Sequence, residues 1–267
     1  MASSALVLGA GGITGAAWQL GMVIGLRDRG IDLTTADLII GTSAGAASGA
    51  LIAAGLDPAA TTPVRPGDLP MQPDFVTGAA AWQLLSSVPE ISLASSVELR
   101  RQIGTLALQA QVGSQEALLA SFGWWLPIAE WPSRLLVTAI DVYTGELVTW
   151  TAASGVPLVA AVTASCAVPC LFPAITVDGR RYMDGGVRSR TNADLAAGYN
   201  PVVILAPRMP MAVLDDFASE LAQLGPDTTL VEPDTAAQDA IGGNVFAADR
   251  WQPVLDAAIA QGRRTPS

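Results

Sequence analysis

Apolar residues fall along this chain in short unbroken runs that end in glycine, separated by longer apolar stretches of roughly helical spacing. Ala5-Leu6-Val7-Leu8 runs into a glycine loop over residues 9–15. The stretch 16–29 follows, with Trp18, Met22 and Leu26 on one side, and closes at Gly30. Asp37-Leu38-Ile39-Ile40 is a second run, which enters Gly41-Thr42-Ser43-Ala44-Gly45 at once and continues through small residues to Gly55. Apolar runs without alternation suit strands covered on both faces. The order strand, loop, helix, strand, turn, helix predicts an α/β fold, with a mostly parallel sheet sandwiched by helices.

Prolines at 58, 63, 66, 70 and 73 mark residues 57–74 as a loop, and helical segments are expected over about 76–126. Strands are predicted over 134–141 and 146–150, joined through Tyr143-Thr144-Gly145, and a helix over about 157–166. The runs 174–177 and 181–183 flank Asp178-Gly179, a pair that favours a tight hairpin turn. Residues 202–205 form a further buried strand. No repeat or low-complexity linker interrupts the 267 residues, so a single domain over 1–267 is expected.

Composition narrows the chemistry. The chain contains no histidine, and all 14 of its basic residues are arginines. A Ser-His-Asp triad, a Ser-Lys dyad, a lysine-dependent phosphate loop, a Schiff-base enzyme and an HExxH zinc site are therefore excluded. Any nucleophilic enzyme built from this chain needs a carboxylate base. The net charge of −10, with no long arginine cluster, argues against nucleic acid as a partner and against attraction to anionic lipid. Cys166 and Cys170 do not make a CxxC pair, and they read as small buried apolar side chains. Neither a cofactor nor a metal is expected. The uncharged windows 38–56 and 147–177 are interrupted by glycines and by prolines, so they read as core and no membrane-spanning segment is expected. No signal peptide is visible, which makes the cytoplasm the expected location.

Three segments could carry chemistry. Gly41-Thr42-Ser43-Ala44-Gly45 fits the G-x-S-x-G pattern, in which a serine sits on a sharp turn between strand and helix and projects its hydroxyl above the sheet. The glycine loop at 9–15 can aim consecutive amides at an oxyanion or at a phosphate. A dinucleotide site would place a carboxylate after the second strand, about 20 residues on. That strand ends Ile39-Ile40-Gly41, so an oxyanion hole is the better fit and a nicotinamide-dependent oxidoreductase the alternative. Asp184, in Tyr182-Met183-Asp184-Gly185-Gly186, follows the return strand of the second hairpin and is a candidate base, though an Asp-Gly turn is the simpler account of any isolated pair. Asp141 is the other candidate.

Taken together, the glycine loop, the serine elbow and Asp-Gly-Gly in that order resemble the patatin-like phospholipase family. The likeness runs from Leu6 to about Pro207 and includes Ala164-Ser165-Cys166-Ala167-Val168-Pro169 and Phe172-Pro173. It implies a three-layer α/β/α fold and a lipid acyl hydrolase with Ser43 as nucleophile, Asp184 as base and Gly11 and Gly12 as oxyanion donors. Gly41, Thr42, Ala44 and Gly45 would form the elbow, with Gly185 and Gly186 supporting. An acyl ester or lipid would be the substrate, met in transient contact. A catalytically silent interaction protein on the same scaffold is the other alternative. The family's loop commonly reads G-G-G-x-R/K-G, and here Ala10 and Thr14 replace the first glycine and the basic residue. A neutral or weakly charged ester is therefore expected over an anionic phospholipid; Arg188 and Arg190, just beyond Asp-Gly-Gly, are the residues that could instead supply positive charge in Thr14's place. Residues 57–131, with Trp82, Trp124 and Trp125, are expected to form a mobile cover and part of the acyl pocket.

Overall fold

The computed structural model describes residues 3–61, 97–207 and 217–265. Strand β1 (Ala5–Leu8) leads into helix α1 (Gly12–Arg27), and β2 (Leu38–Gly41) into α2 (Ala44–Ala53). Helices α3 (Val97–Gln109) and α4 (Gln115–Trp125) precede the antiparallel pair β3 (Leu135–Asp141) and β4 (Leu147–Trp150). Helix α5 (Leu158–Ser165) is followed by the hairpin β5 (Ile175–Val177) and β6 (Arg180–Asp184). The chain continues through β7 (Val202–Leu205), α6 (Phe217–Leu221), β8 (Thr228–Val231), α7 (Thr235–Ile241) and α8 (Trp251–Arg264).

Among the described residues these strands make one mixed sheet, in the order β5-β6-β3-β2-β1-β7-β8, with β4 beside β3. The run β3-β2-β1-β7-β8 is parallel. β6 joins β3 antiparallel, with Ala139 opposite Asp184. β1 lies at the centre of this parallel run, and the chain leaves it towards β2 on one side and returns on the other at β7. In parallel sheets a crevice opens beyond the carboxyl ends of the strands at such a reversal. The glycine loop and the serine elbow stand at that end.

Alternation along β1 explains the layers. Leu6 and Leu8 face the main core, with Trp18, Leu20 and Leu51 of α1 and α2. Ala5 and Val7 face the opposite side, with Ile40, Val202 and Ile204, covered by Ala193, Ala196 and Phe217. Every β1 side chain is buried, as a four-residue apolar run requires.

Helix α1 is buried almost all round, from Ile13 to Leu26, and not on one stripe as its spacing predicted. The cause is α8, which covers its outer face. Side chains at Gly21 and Gly25 would collide with Leu255, Ala258 and Ile259, so the glycines permit the close approach. The same small residues blurred the helix start, which lies at Gly12, where position 16 was expected. At the predicted hairpin Asp178 and Gly179 both have positive φ (49° and 76°), as the tight turn demands. Of the expected 76–126 helices, α3 and α4 are present, while residues 76–96, with Trp82, lie outside the described residues. No helix among the described residues is long and apolar enough to cross a membrane.

Candidate active site

Ser43 lies between β2 and α2 with φ 54° and ψ −120°, a strained conformation for a residue with a side chain. The surrounding structure holds it there. The Thr42 amide donates to the Leu8 carbonyl (3.0 Å), and the Ser43 amide donates to Ser165 Oγ (2.9 Å). Gly45 rests against the end of β1, where a Cβ would overlap the Leu8 carbonyl. The first turn of α2 points its partly positive end at Ser43.

Asp184 ends β6 and reaches the elbow across the sheet. Ser43 Oγ donates to Asp184 Oδ2 at 2.7 Å, and the Gly186 amide donates to Oδ1 at 2.7 Å. Both side chains are buried. Burial pushes the Asp184 carboxyl up to about 7, against the opposing pull of the bonds from Ser43 and Gly186. A carboxyl held there is a far better proton acceptor near neutral pH than an ordinary aspartate.

Asp141 is placed differently. Its Oδ1 accepts from the Tyr143 and Thr144 amides (2.9 and 3.0 Å) and its Oδ2 from Arg180 Nε (2.6 Å). Its burial raises proton affinity, but Arg180 and the two turn amides outweigh that and hold the carboxyl below its usual range. It fastens a hairpin turn and does not reach Ser43.

In the glycine loop, Ala10, Thr14 and Gly15 spend their amides on the carbonyls of Arg190, Val245 and Gly11. Those of Gly11, Gly12 and Ile13 find no acceptor among the described residues. Gly12 has φ +61°, and a Cβ there would meet the Val245 carbonyl. The Ala44 amide, at the start of α2, is likewise without an acceptor among the described residues. Thr14 is fully buried and turns its hydroxyl to the Val245 carbonyl (3.3 Å).

Gly12, Ser43 and Ala44 open onto a pocket whose walls include Ile13, Ala16, Ala47, Ser121, Phe122, Trp125, Cys166, Val168, Phe172, Phe246 and Trp251. None of these side chains is charged. Trp125 meets Trp251 edge to face (centroids 6.1 Å apart), and Phe172 meets Phe246 in the same way (6.0 Å). From the expected cover, Ser121, Phe122 and Trp125 reach the pocket, whereas Trp124 is exposed. Arg188 is bound by Asp194 through two hydrogen bonds (2.9 and 2.6 Å), and Arg190 by Glu232 (3.1 Å). Both are already paired with carboxylates.

Sequence reasoning missed several of these residues. Cys166 was read as plain core, yet it is half-buried and lines the pocket. Burial, with the nearby Asp184 charge, pushes its thiol well above the usual range, which makes it a poor nucleophile. Phe246 and Trp251 carried no local signal, because only the fold brings them to Ser43. Among the described residues no cluster of metal-ligating side chains is found.

The fold is similar to the crystal structure of VipD from Legionella pneumophila, at a TM-score of 0.52 and 13% identity over 98% of this chain and 66% of that one. It is similar also to the type III effector protein ExoU (TM-score 0.45, 16% identity, 98% of this chain and 52% of that one). A third similar structure is ExoU with SpcU, from the type III secretion system of Pseudomonas aeruginosa (TM-score 0.37, 19% identity, 99% and 53%). The chain spans only part of each of these proteins, and at such identities the likeness is one of fold: the three-layer α/β/α arrangement. No curated protein matches the chain closely enough to count as a relative. The family model described as patatin-like phospholipase matches residues 6–197, most of the length, and the chain therefore belongs to the patatin-like phospholipase family.

Proposed function

We propose that this protein hydrolyses acyl esters of neutral or weakly charged lipids, with Ser43 as nucleophile and Asp184 as its base. The observation that carries the reading is the 2.7 Å bond to a buried carboxyl from the Oγ of Ser43, which lines an apolar pocket. Ser43 Oγ attacks the carbonyl carbon as its proton passes to Asp184 Oδ2. The carbonyl oxygen becomes an oxyanion, stabilised by the amides of Gly11 and Gly12. Collapse expels the alcohol, which takes the proton from Asp184. A water then gives its proton to Asp184 and attacks the acyl-enzyme, and collapse releases the acid as Asp184 returns that proton to Ser43 Oγ. The acyl chain occupies the pocket lined by Trp125, Phe172, Phe246 and Trp251, where apolar burial stabilises it.

The ionised carboxylate is the working form, so kcat/KM should rise with pH and level off above about 7, the value to which burial lifts Asp184. A pH–rate profile on an uncharged chromogenic ester checks this. An acid limb centred near 4 would show that burial does not raise the working carboxyl, and the absence of any acid limb would remove a carboxylate base from the mechanism.

Substrate charge is the second test. One acyl chain carried on a neutral ester, a zwitterionic phospholipid and an anionic phospholipid is compared at two salt concentrations. The neutral ester should be turned over fastest, because the pocket walls are uncharged, Thr14 faces away from them and the net charge is −10. Fastest turnover of the anionic lipid at low salt, slowed by added salt, would contradict the preference, and Arg188 and Arg190 would be the residues to mutate.

A further inference from the structure

We propose that Asn192 is a positioning residue, whose side-chain amide holds the Ser43 and Asp184 segments at their working separation. The inference rests on the proposed roles of that pair.

Asn192 is fully buried, in the left-handed region (φ 50°, ψ 39°). Its Nδ2, with two hydrogens, lies within bonding distance of Thr42 Oγ1 (3.0 Å), the Gly185 carbonyl (3.3 Å) and the Ser189 carbonyl (3.1 Å), so that one hydrogen is shared between two acceptors. Thr42 immediately precedes Ser43, and Gly185 immediately follows Asp184. One amide thus touches the chain neighbours of both groups, which are 141 positions apart in sequence.

The direction of the amide is fixed by charge. Asn192 Oδ1 accepts from Arg188 Nη1 (2.7 Å), and Asp194 grips the same guanidinium. A cation has no acceptor to offer, so the oxygen must face Arg188 and the NH2 group must face the elbow. From there Nδ2 donates to Thr42 Oγ1, which shares a 2.9 Å hydroxyl–hydroxyl bond with Thr138 Oγ1 and also lies 3.3 Å from the Thr191 carbonyl, while Thr138 Oγ1 lies 3.3 Å from the Gly41 carbonyl. Buried bonds linked in this way reinforce one another. Thr138 belongs to β3, the strand between β2 and β6, and Gly185 lies so close that a Cβ would overlap its hydroxyl.

The loop that carries Asn192 is held in its turn. Ser189 Oγ accepts from the amides of Thr191 and Asn192 (3.1 and 2.9 Å), and Glu220 Oε2 accepts from Thr191 Oγ1 and the Ala193 amide (2.9 and 3.0 Å). Such support is needed because Ser43 stands in a strained conformation and its partner comes from a separate strand. A misplacement of about 1 Å can cost on the order of a hundredfold in rate.

The test uses Asn192→Gly, which removes the amide and tolerates the left-handed backbone, and Thr42→Val, which removes the hydroxyl at the other end of the same bond. Neither adds charge. Both variants, Ser43→Ala and the wild type are assayed with a p-nitrophenyl fatty-acyl ester. Each of the two variants should lose kcat about tenfold or more while KM stays within about threefold. The acid limb should move upward, because the bond from Ser43, together with that from the Gly186 amide, opposes the rise that burial imposes on the Asp184 carboxyl, and a longer bond opposes it less. The double variant should lose less than the sum of the two single losses, since both cut the bond between Asn192 and Thr42. If either folded variant keeps wild-type kcat and an unmoved limb, with only its melting temperature reduced, Asn192 is merely structural and the inference is overturned. If that happens while Ser43→Ala is inactive, the proposed pair survives. Full hydrolysis by Ser43→Ala would instead remove the pair, and the positioning role with it.

Discussion

Ser43→Ala should reduce hydrolysis to the uncatalysed background and abolish labelling by a fluorophosphonate, with the protein still folded. Loss of a serine nucleophile lowers turnover by roughly 10⁴-fold or more in enzymes whose acyl-enzyme depends on it. Little structural disturbance is expected, because the elbow is held by main-chain bonds from Thr42 and Ser43 that alanine keeps. The backup serines are poorly placed. Ser48 Oγ is engaged with Gln19 Oε1 and the Ala44 carbonyl (2.6 and 3.2 Å), and Ser165 Oγ accepts the Ser43 amide. Intact-mass spectrometry after labelling and circular dichroism of the variant make the check. A covalent adduct retained on Ser165 would move the nucleophile there.

Asp184→Asn should lower kcat by at least about a hundredfold, since neither histidine nor lysine exists to take over as base. The same change should make the protein more stable in neutral and alkaline solution. The folded carboxyl titrates near 7 and the unfolded one near 3.8. Its neutral form is thus favoured by folding, and that stability is complete below the unfolded value and is lost as pH rises to the folded one. The wild type should fall behind the variant between about pH 4 and about pH 7, by on the order of 4 kcal/mol at most, and the difference should then stay level. Denaturant midpoints at several pH values, beside kcat, test both halves. Mild damage from Asp184→Asn and severe damage from Asp141→Asn would reverse the assignment. The hydrogen bonds of Asp141 make it a turn fastener instead, and its loss should register chiefly as lost stability.

How much of this was legible before folding depended on the range of the signal. β1 and β2 were readable because both faces of each are buried, which leaves an unbroken apolar run. The elbow and Asp-Gly-Gly were readable because local backbone geometry demands those residue types. The tight turn at Asp178-Gly179 was readable for the same reason. The all-round burial of α1 was not, since α8 covers it from more than 200 positions away and glycine at the contact leaves no apolar mark. Asn192, Thr138 and Ser165 were missed as supports because a single polar residue in a loop or strand has no period. Cys166 was misread because an apolar neighbourhood is the same signal whether it forms core or pocket wall.

The described wall of the pocket is shared between two very different stretches of chain. Ser43, Asp184 and the glycine loop fall within the 6–197 stretch that the family model covers, whereas Phe246 and Trp251 lie beyond it. Val245, whose carbonyl rests on Gly12 and Thr14, lies beyond it too. The segment after α7 therefore serves two ends at once: Phe246 and Trp251 complete a pocket wall otherwise built within 6–197, and the Val245 carbonyl seats the glycine loop. Exchanging that segment for one of different shape would alter the outline of the pocket and the seating of the loop together.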